Sequence, residues 1–281
     1  MAEKRYTKIK VSAKPEAEIS KPDAQEPKRL NKYLSNAGIC SRREADVHIA
    51  NGEVKVNGKV VTELGFKVLP KDKVVYNGQQ LTGEKFKYVL LNKPKDFICT
   101  LKDEKDRKTV MDLVKNACQE RIFPIGRLDR QTTGLLLFTN DGELANNLSH
   151  PSSRVTKLYQ ATLNKDLTLE DFEKIKNTLV LEDGPAPVDD IALSVEGDYM
   201  VGLEIHIGRN RIVRRIFESL GYSVERLDRS VYAGLTKKDL PRGKWRHLTE
   251  TEVKILKRKK ASIKPQAVEK SSNKTFDDLE D

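Results

Sequence analysis

The most informative stretch of this chain runs Gly126-Arg127-Leu128-Asp129-Arg130-Gln131-Thr132-Thr133-Gly134 and continues into the apolar Leu135-Leu136-Leu137-Phe138. It sets one carboxylate, Asp129, between two arginines, just before a segment with the length and composition of a buried strand. A charged group so close to a hydrophobic core costs free energy unless it is paired, so an acid placed there has a structural partner or a chemical task. The four residues Gly-Arg-Leu-Asp alone leave both interpretations open.

The charge of the chain is unevenly distributed. The 281 residues carry a formal net charge of +10 and are long enough for two domains, or for one large domain with a small module. Residues 29–88 hold 11 basic and 6 acidic side chains, which is half of the excess charge. A localised basic surface of this kind suits a polyanion such as RNA, and a solvated basic face without a partner is the alternative.

Several classes of protein are disfavoured by composition. No apolar run approaches the ~20 residues that cross a bilayer, and no apolar core follows the first basic residues, so we expect neither a membrane span nor a secretory signal. The three cysteines and four histidines are scattered, which argues against a disulfide framework or a metal site. The missing signal and the scattered cysteines favour a cytoplasmic location. No phosphate loop, dinucleotide fingerprint or catalytic triad is present, and we expect no cofactor.

The first third of the chain predicts a small module. Residues 1–27 lack periodicity and are predicted to be a disordered basic tail. Residues 28–87 then predict a helix–helix–hairpin module and a linker. Ser41-Arg42-Arg43-Glu44 has the form of a capping box that opens the second helix. Asn57-Gly58 and Asn77-Gly78 each predict a tight hairpin turn.

Two arginines near the start of that second helix point to phosphate. Arg42 and Arg43 are unfavourable in the first turn of a helix by ~0.3–1 kcal/mol each, and a bound phosphate would offset their charge; side chains that simply point to water are the alternative. The sequence here resembles the α-L RNA-binding module that is named after a small-subunit ribosomal protein. The residues that carry the resemblance are Arg29 to Leu34, Ser41 to Ala45 and Gly52 to Lys59. The resemblance implies RNA contacts by Arg29, Lys32, Ser41, Arg42, Arg43 and Lys55.

Residues 88–256 predict a larger α+β domain, because short apolar strands and amphipathic helices follow one another without the regular alternation of a doubly wound sheet. Thr249-Glu250-Thr251-Glu252 predicts a capping box for a last helix. Residues 257–281 are predicted to be a disordered charged tail.

Three segments of this domain occur in the order of a known family. They are the Asp129 string, Lys157-Leu158-Tyr159 and Gly208-Arg209-Asn210-Arg211-Ile212-Val213-Arg214-Arg215. Together they resemble the motifs of the RNA pseudouridine synthases, specifically the RsuA/RluB-type branch that modifies ribosomal RNA, and Leu91-Asn92-Lys93-Pro94 resembles the entry strand of that family. The resemblance implies a catalytic domain built on a mixed, mainly antiparallel sheet and an isomerase that needs no metal and no cofactor.

The resemblance also implies roles for single residues. Asp129 would be the catalytic carboxylate, Arg127 would contact or replace the flipped nucleotide, and Tyr159 would pack on the target base. Arg214 would pair with Asp129. Structural roles remain open for Arg127, as a surface phosphate contact or ion pair, and for Tyr159, as a core residue. Further RNA contacts are implied for Lys93, Arg209, Arg211 and Arg215, and Ile212 stands where the family pattern has Gln.

The hypothesis from sequence is an isomerase that converts one uridine of ribosomal RNA, with the 23S RNA of the large subunit as the favoured target. Its partner would be ribosomal RNA or an assembly intermediate, and a monomer without an obligate protein partner is expected. One alternative is a non-catalytic rRNA-binding assembly factor. Another is a hydrolase that releases the base, which is disfavoured because such enzymes normally carry a second carboxylate.

Overall fold

The computed structural model of the protein describes residues 27–82, 85–195 and 197–258. The two predicted tails lie outside these residues, apart from Pro27, Lys257 and Arg258. The described residues divide into two compact units, one of which takes in residues 27–35 and 39–82, while residues 36–38 and those from 85 onward form the other. No helix of the described residues is both long enough and apolar enough to cross a membrane.

The first unit contains two helices and short strands. Their bounds are β1 Lys28–Arg29, α1 Leu30–Asn36, α2 Arg42–Ala50, β2 Val54–Val56, β3 Lys59–Val60, β4 Lys67–Val68, β5 Val74–Tyr76 and β6 Gln79–Gln80. Four strands form an antiparallel sheet in the order β3-β2-β5-β6, and β1 pairs with β4. The predicted capping box is confirmed, since the Ser41 hydroxyl accepts from the Glu44 backbone and the Glu44 carboxylate accepts from the Ser41 backbone. Both predicted hairpins are present.

The second unit is the larger α+β part of the chain. Its helices are α3 Val110–Val114, α4 Gly142–Ser149, α5 Leu169–Lys176, α6 Ile212–Glu218 and α7 Glu250–Arg258. Its strands are β7 Tyr88–Lys93, β8 Phe123–Pro124, β9 Thr133–Thr139, β10 Lys157–Leu163, β11 Leu179–Leu181, β12 Gly184–Ala186, β13 Asp190–Ser194, β14 Gly197–Ile205, β15 Val224–Tyr232, β16 Leu235–Thr236 and β17 Trp245–His247.

One mixed sheet organises this unit, as predicted. Seven of its nine strands follow the order β13-β14-β10-β15-β9-β7-β17, with β16 added to β15 and β8 added to β9. Neighbouring strands are antiparallel except β9 and β15, which run parallel. This parallel pair lies in the middle of the sheet, and its strand β9 begins at Thr133, at the end of the Asp129 string.

The apolar run after Gly134 is buried on both faces of the sheet. Leu136 and Phe138 belong to one hydrophobic cluster, and Leu135 and Leu137 belong to a second. Because a strand alternates its side chains between the two faces, a continuous apolar run fits a strand that is covered on both sides. The sheet therefore provides a rigid support for the loop that precedes β9.

Several elements differ from the sequence-based expectations. The helix α3, with five residues, and the strands β11 and β12, with three residues each, are too short to show a periodic pattern in the sequence. The last helix begins at Glu250, inside the predicted Thr249–Glu252 capping box, which is present. This helix includes Lys257 and Arg258, the first two residues of the predicted tail.

Candidate active site

The loop of residues 125–132 carries Asp129 and connects β8 to β9. The Ile125 amide donates to the Leu137 carbonyl at 2.7 Å, and the Leu128 amide donates to the Cys99 sulfur at 3.3 Å. The Thr132 amide donates to the Asp129 carbonyl at 3.0 Å. These bonds fix the loop at its beginning, its middle and its end.

Lys93 stabilises the same loop through its backbone carbonyls. It is completely buried, and its Nζ donates to the carbonyls of Pro94, Asp129, Arg130 and Thr132 at 3.1, 3.1, 3.2 and 2.8 Å. The prediction that Lys93 contacts the RNA backbone is therefore wrong, because its ammonium group faces the carbonyl groups of the loop. Burial lowers the pKa of Lys93 to about 8.

The far end of the loop is fixed by a close contact between two strands. Gly134 has φ of +105°, and a Cβ atom at this position would lie 2.3 Å from the Arg229 carbonyl oxygen. Only glycine allows so close an approach of two backbones. The neighbouring Thr133 hydroxyl donates to Asp228 at 2.6 Å, and Arg242 donates to the same carboxylate at 2.6 Å. Lys237 pairs with Asp228 as well.

Three predicted site residues line one pocket. Arg127, Asp129 and Tyr159 meet there with Leu227, in a cleft of about 70 Å³ that we call the central pocket. Asp129 is half-buried, Tyr159 is 9% exposed, and Arg127 is exposed. The prediction that these residues come together is therefore met in the geometry, although their chemical roles stay predictions.

Two larger cavities adjoin the central pocket. One, of about 430 Å³, lies on the Asp129 side and includes Cys99 and Arg130. The other, of about 500 Å³, lies on the Tyr159 side and is called the lateral cavity here. Arg127 and Arg209 line all three spaces.

The lining of these three spaces is strongly basic. Among the described residues that line them, Asp129 is the one carboxylate, against seven cationic side chains: Arg127, Arg130, Arg154, Lys157, Arg209, Arg211 and Arg229. Clefts lined by one sign of charge concentrate the opposite charge, so this surface favours a polyanion. A small neutral or cationic substrate would gain nothing from it.

Arg214 lies beside the site on α6 but is not joined to Asp129 by an ion pair among the described residues. It is buried, its Nη1 donates to the Val224 carbonyl at 2.6 Å, and its Nε has no hydrogen-bond partner. Burial and the nearby Arg211 lower the pKa of Arg214, while the charges of Asp129 and Glu218 oppose that effect. The two charges thus interact at a distance rather than through the predicted direct contact.

The other arginines of this motif are paired with acids of the same unit. Arg209 donates to the Asp183 carboxylate at 2.8 Å, and Arg215 pairs with the same carboxylate. Arg211 donates to Glu218 at 2.8 Å. Arg209 and Arg211 line the site, and all three arginines keep some exposure, so their phosphate contacts remain predictions.

Ile212, which stands where the family pattern has Gln, makes apolar contacts instead of polar ones. It is buried, belongs to the main hydrophobic cluster and lines both the central pocket and the lateral cavity. The preceding Arg211 has φ of +47° and gives α6 no side-chain cap. The start of this helix is therefore anchored by packing instead of a polar side chain.

Two residues near the site were missed in the sequence. Arg229 on β15 is 3% exposed and lines the lateral cavity. Lys157 lines the same cavity, and its Nζ donates to the carbonyls of Val155 and His206 at 3.0 and 2.7 Å. Burial and then Arg229 lower the pKa of Lys157 to about 8, against the opposing charge of Asp189. Arg229 stands between polar neighbours on β15, and Lys157 is the first residue of β10, so the local sequence gave no signal of either role.

The predicted RNA contacts of the first unit lie near its two helices. Arg29, Arg42, Arg43 and Lys55 are exposed, and Lys32 is half-exposed. Ser41 caps α2, so its hydroxyl already has a structural role. Among the residues that the structure describes, no group of acids, histidines and cysteines is arranged to hold a metal ion.

Comparisons with known proteins assign the two parts of the chain. The family model described as RNA pseudouridylate synthase matches residues 87–219, and the S4 domain model matches residues 28–74. A relative from Bacillus subtilis named ribosomal large subunit pseudouridine synthase B is 46% identical over 82% of this chain and 95% of its own length. The dual-specificity RNA pseudouridine synthase RluF of Escherichia coli is 35% identical over 85% of this chain and 83% of its own length.

A solved structure agrees with this assignment. The crystal structure of a pseudouridylate synthase superposes with a TM-score of 0.58 at 28% identity and covers 82% of this chain and 99% of its own. The chain therefore belongs to the RNA pseudouridine synthases, which are isomerases that act on RNA. Its N-terminal S4 module and its catalytic domain together place it in the RsuA/RluB-type branch of that family.

Proposed function

We propose that this enzyme isomerises one specific uridine of ribosomal RNA, in the 23S RNA of the large subunit, with Asp129 as its catalytic carboxylate. The observation that carries the proposal is the central pocket, in which Asp129 is the one acid beside Arg127 and Tyr159. The names of the relatives, which include large-subunit pseudouridine synthases, support the choice of RNA. This substrate corresponds to a cytoplasmic site of action.

The reaction needs one acid and a pocket that keeps the base in place. The bond between C1′ of the ribose and N1 of uracil breaks, the base turns, a bond from C1′ to C5 forms, and the proton of C5 leaves while N1 gains one. Asp129 would act as nucleophile or as base in this sequence. No second carboxylate lines the described site, which favours isomerisation over hydrolysis of the glycosidic bond.

The surrounding residues would hold the base. Tyr159 and Leu227 supply an aromatic ring and an aliphatic side chain to the central pocket, where an extruded uracil would pack. Arg127 is exposed beside Asp129, where it would contact the extruded nucleotide or fill the space that it leaves. The S4 module would bind RNA backbone through its exposed arginines and lysines.

The test is pseudouridine mapping of rRNA from cells with and without this gene, read as carbodiimide-dependent stops of primer extension. Loss of one stop, restored by the wild-type gene and not by Asp129→Asn, is the expected result. Asp96→Asn is the matched control, because Asp96 is exposed beside the same loop and accepts from Gln131 at 3.0 Å. It should restore the stop.

Two outcomes would contradict the proposal. Restoration by Asp129→Asn would remove this residue as the catalytic acid. An unchanged pattern of stops throughout rRNA, with retained rRNA binding, would favour the non-catalytic assembly factor. Free uracil released by the purified enzyme from an RNA substrate would instead identify a hydrolase.

A further inference from the structure

The lateral cavity is not used by the proposed chemistry. It has a volume of about 500 Å³, within the range of about 300–1,000 Å³ that is typical of ligand cavities. Its walls combine apolar residues such as Leu148 and Tyr232 with Arg229, Lys157 and, on the segment after α4, Arg154. Asp129 does not line it. The cavity therefore has the size and composition of a binding site but lacks the catalytic acid.

Arg229 gives this cavity an unmatched positive charge. Arg229 is only 3% exposed. Its Nε donates to the Leu135 carbonyl at 2.8 Å, and its guanidinium lies 4.5 Å from the centre of the Tyr232 ring. The Nη2 atom is buried without a hydrogen-bond partner, and no ion pair of the described residues includes Arg229. A buried charge that no acid compensates is costly. An acceptor on a bound ligand would therefore satisfy the free donor of Arg229.

The cavity adjoins the proposed uridine site through a shared wall. Tyr159 on β10 is the cross-strand partner of Arg229 on β15, and it lines both the central pocket and the lateral cavity. Leu227, two residues before Arg229 on the same strand, lines the central pocket. A nucleotide in the central pocket and a ligand in the lateral cavity would thus both contact Tyr159.

The rim of the cavity is suited to phosphate. Arg154 is exposed and adopts φ of +43°, a conformation that is uncommon for residues other than glycine. Lys157 and Arg209 add to this cationic edge of the cavity, and Arg209 also lines the central pocket. An RNA strand that leaves the central pocket would meet this edge first, and its next base would meet the apolar walls.

We propose that the lateral cavity is a second nucleotide subsite, which takes a base adjacent to the target uridine in the same RNA strand and reads it through Arg229. Guanidinium donors match the carbonyl and ring-nitrogen acceptors on the edges of unpaired bases. The inference rests on the proposed function, because it takes the target uridine to occupy the central pocket. It adds to that function a residue that would contribute to the choice of site.

The test uses the full-length enzyme and a hairpin RNA that contains the mapped target uridine. Each of the two bases before and the two bases after the target is replaced, one at a time, by an abasic residue. Dissociation constants and single-turnover rates are measured for the wild type, for Arg229→Met and for Arg226→Met. The last variant is the matched control, because Arg226 lies on the same strand and is exposed.

The expected result is selective. One abasic position should weaken wild-type binding by about tenfold or more, which is the size expected for the loss of a base held by stacking and hydrogen bonds. The same abasic change should have an effect below about threefold in Arg229→Met, because the contact is already missing. Arg226→Met should show the wild-type pattern.

Contrary outcomes separate the two proposals. Equal abasic penalties in wild type and Arg229→Met, or no sensitive position in the wild type, would overturn the subsite while isomerisation continued and the proposed function stood. Absence of isomerisation from every rRNA substrate would overturn the proposed function and the inference with it. If Arg229→Met does not fold, as judged by thermal unfolding, Arg229→Lys takes its place in the same comparison, because lysine keeps the positive charge but lacks the planar pair of donors that would read a base edge.

Discussion

The Nζ of Lys93 donates to the backbone carbonyl of Asp129 at 3.1 Å, across 36 residues of sequence. The lysine thus positions the proposed catalytic residue through its backbone and leaves the carboxylate free to line the central pocket. An ammonium group surrounded by four carbonyls replaces the water that would otherwise solvate this loop.

Replacement of Lys93 by Met should lower the free energy of unfolding by about 3 kcal/mol or more, because several buried carbonyls lose a charged donor. Lys95→Met removes the same charge from an exposed position two residues later and should change stability by less than about 0.5 kcal/mol. Denaturant unfolding of both variants checks the difference. Equal effects would mean that the four bonds contribute nothing to stability.

Gly134→Ala should destabilise the protein by about 3 kcal/mol or more, because the new methyl group meets the Arg229 backbone at 2.3 Å and the strands β9 and β15 must separate. Gly126→Ala, at the beginning of the Asp129 loop, is the control. It also has a positive φ, of +72°, but open space around its Cβ position, so a loss of only about 1–2 kcal/mol is expected. Thermal unfolding distinguishes crowding from backbone strain, and similar losses in the two variants would refute the close-contact argument.

Arg214→Gln should reduce the single-turnover rate at saturating RNA by about 100-fold, because it removes a buried positive charge that interacts with Asp129. Arg215→Gln removes the adjacent charge, which is paired with Asp183 at the surface. At saturating RNA its rate should stay within about threefold of wild type, since any phosphate contact would affect mainly affinity. A slow Arg215→Gln and a fast Arg214→Gln would reverse the assignment.

The affinity for RNA should depend on pH through Lys157, whose pKa is lowered to about 8 by burial and by Arg229. The protonated amine favours a nearby phosphate, so affinity should be constant below this pKa and fall as pH rises through it, by about threefold to tenfold between about pH 7 and pH 9. In Lys157→Arg the charge persists and the fall should disappear. Lys93 has a similar pKa but is unchanged in this comparison, so a fall that persists in Lys157→Arg would exclude Lys157 as its source.

The S4 module should contribute mainly ionic contacts. Arg42→Ala combined with Arg43→Ala should reduce the slope of log affinity against log salt by about 2, because about two fewer counterions are released. Lys176→Ala, at an exposed position on α5, is the control and should leave the slope unchanged. The measurement is RNA binding at several salt concentrations, and an unaltered slope in the double variant would take both arginines out of the interface.

Local patterns predicted several elements of both units because the signals for these elements lie within a few residues. The turns at Asn57-Gly58 and Asn77-Gly78 and the capping box at Ser41 each depend on neighbours in sequence. The apolar run after Gly134 likewise predicted a buried strand. Asp129, Arg127 and Tyr159 were predicted from motifs, and the fold brings them to one pocket.

The residues that were misplaced or missed depend on distant contacts. Lys93 was predicted to contact RNA, because its carbonyl partners on the Asp129 loop come more than thirty residues later and leave no local trace of its burial. Arg229 stands between polar neighbours, and a register shift beside its pairing with Tyr159 interrupts the regular alternation of β15. Neither position shows its burial in the local sequence.

The supports of the Asp129 loop have a consequence for biosynthesis. Thr133 at the end of the loop depends on Asp228, and Arg242 binds that same carboxylate. Asn92, next to Lys93, donates to the carbonyl of Leu240 at 2.8 Å. A growing chain on the ribosome therefore completes the framework of its catalytic loop only after residue 242 has left the exit tunnel. A chain that ends between residues 214 and 227 carries every proposed catalytic residue and still lacks Asp228, Leu240 and Arg242, which complete the support of the loop.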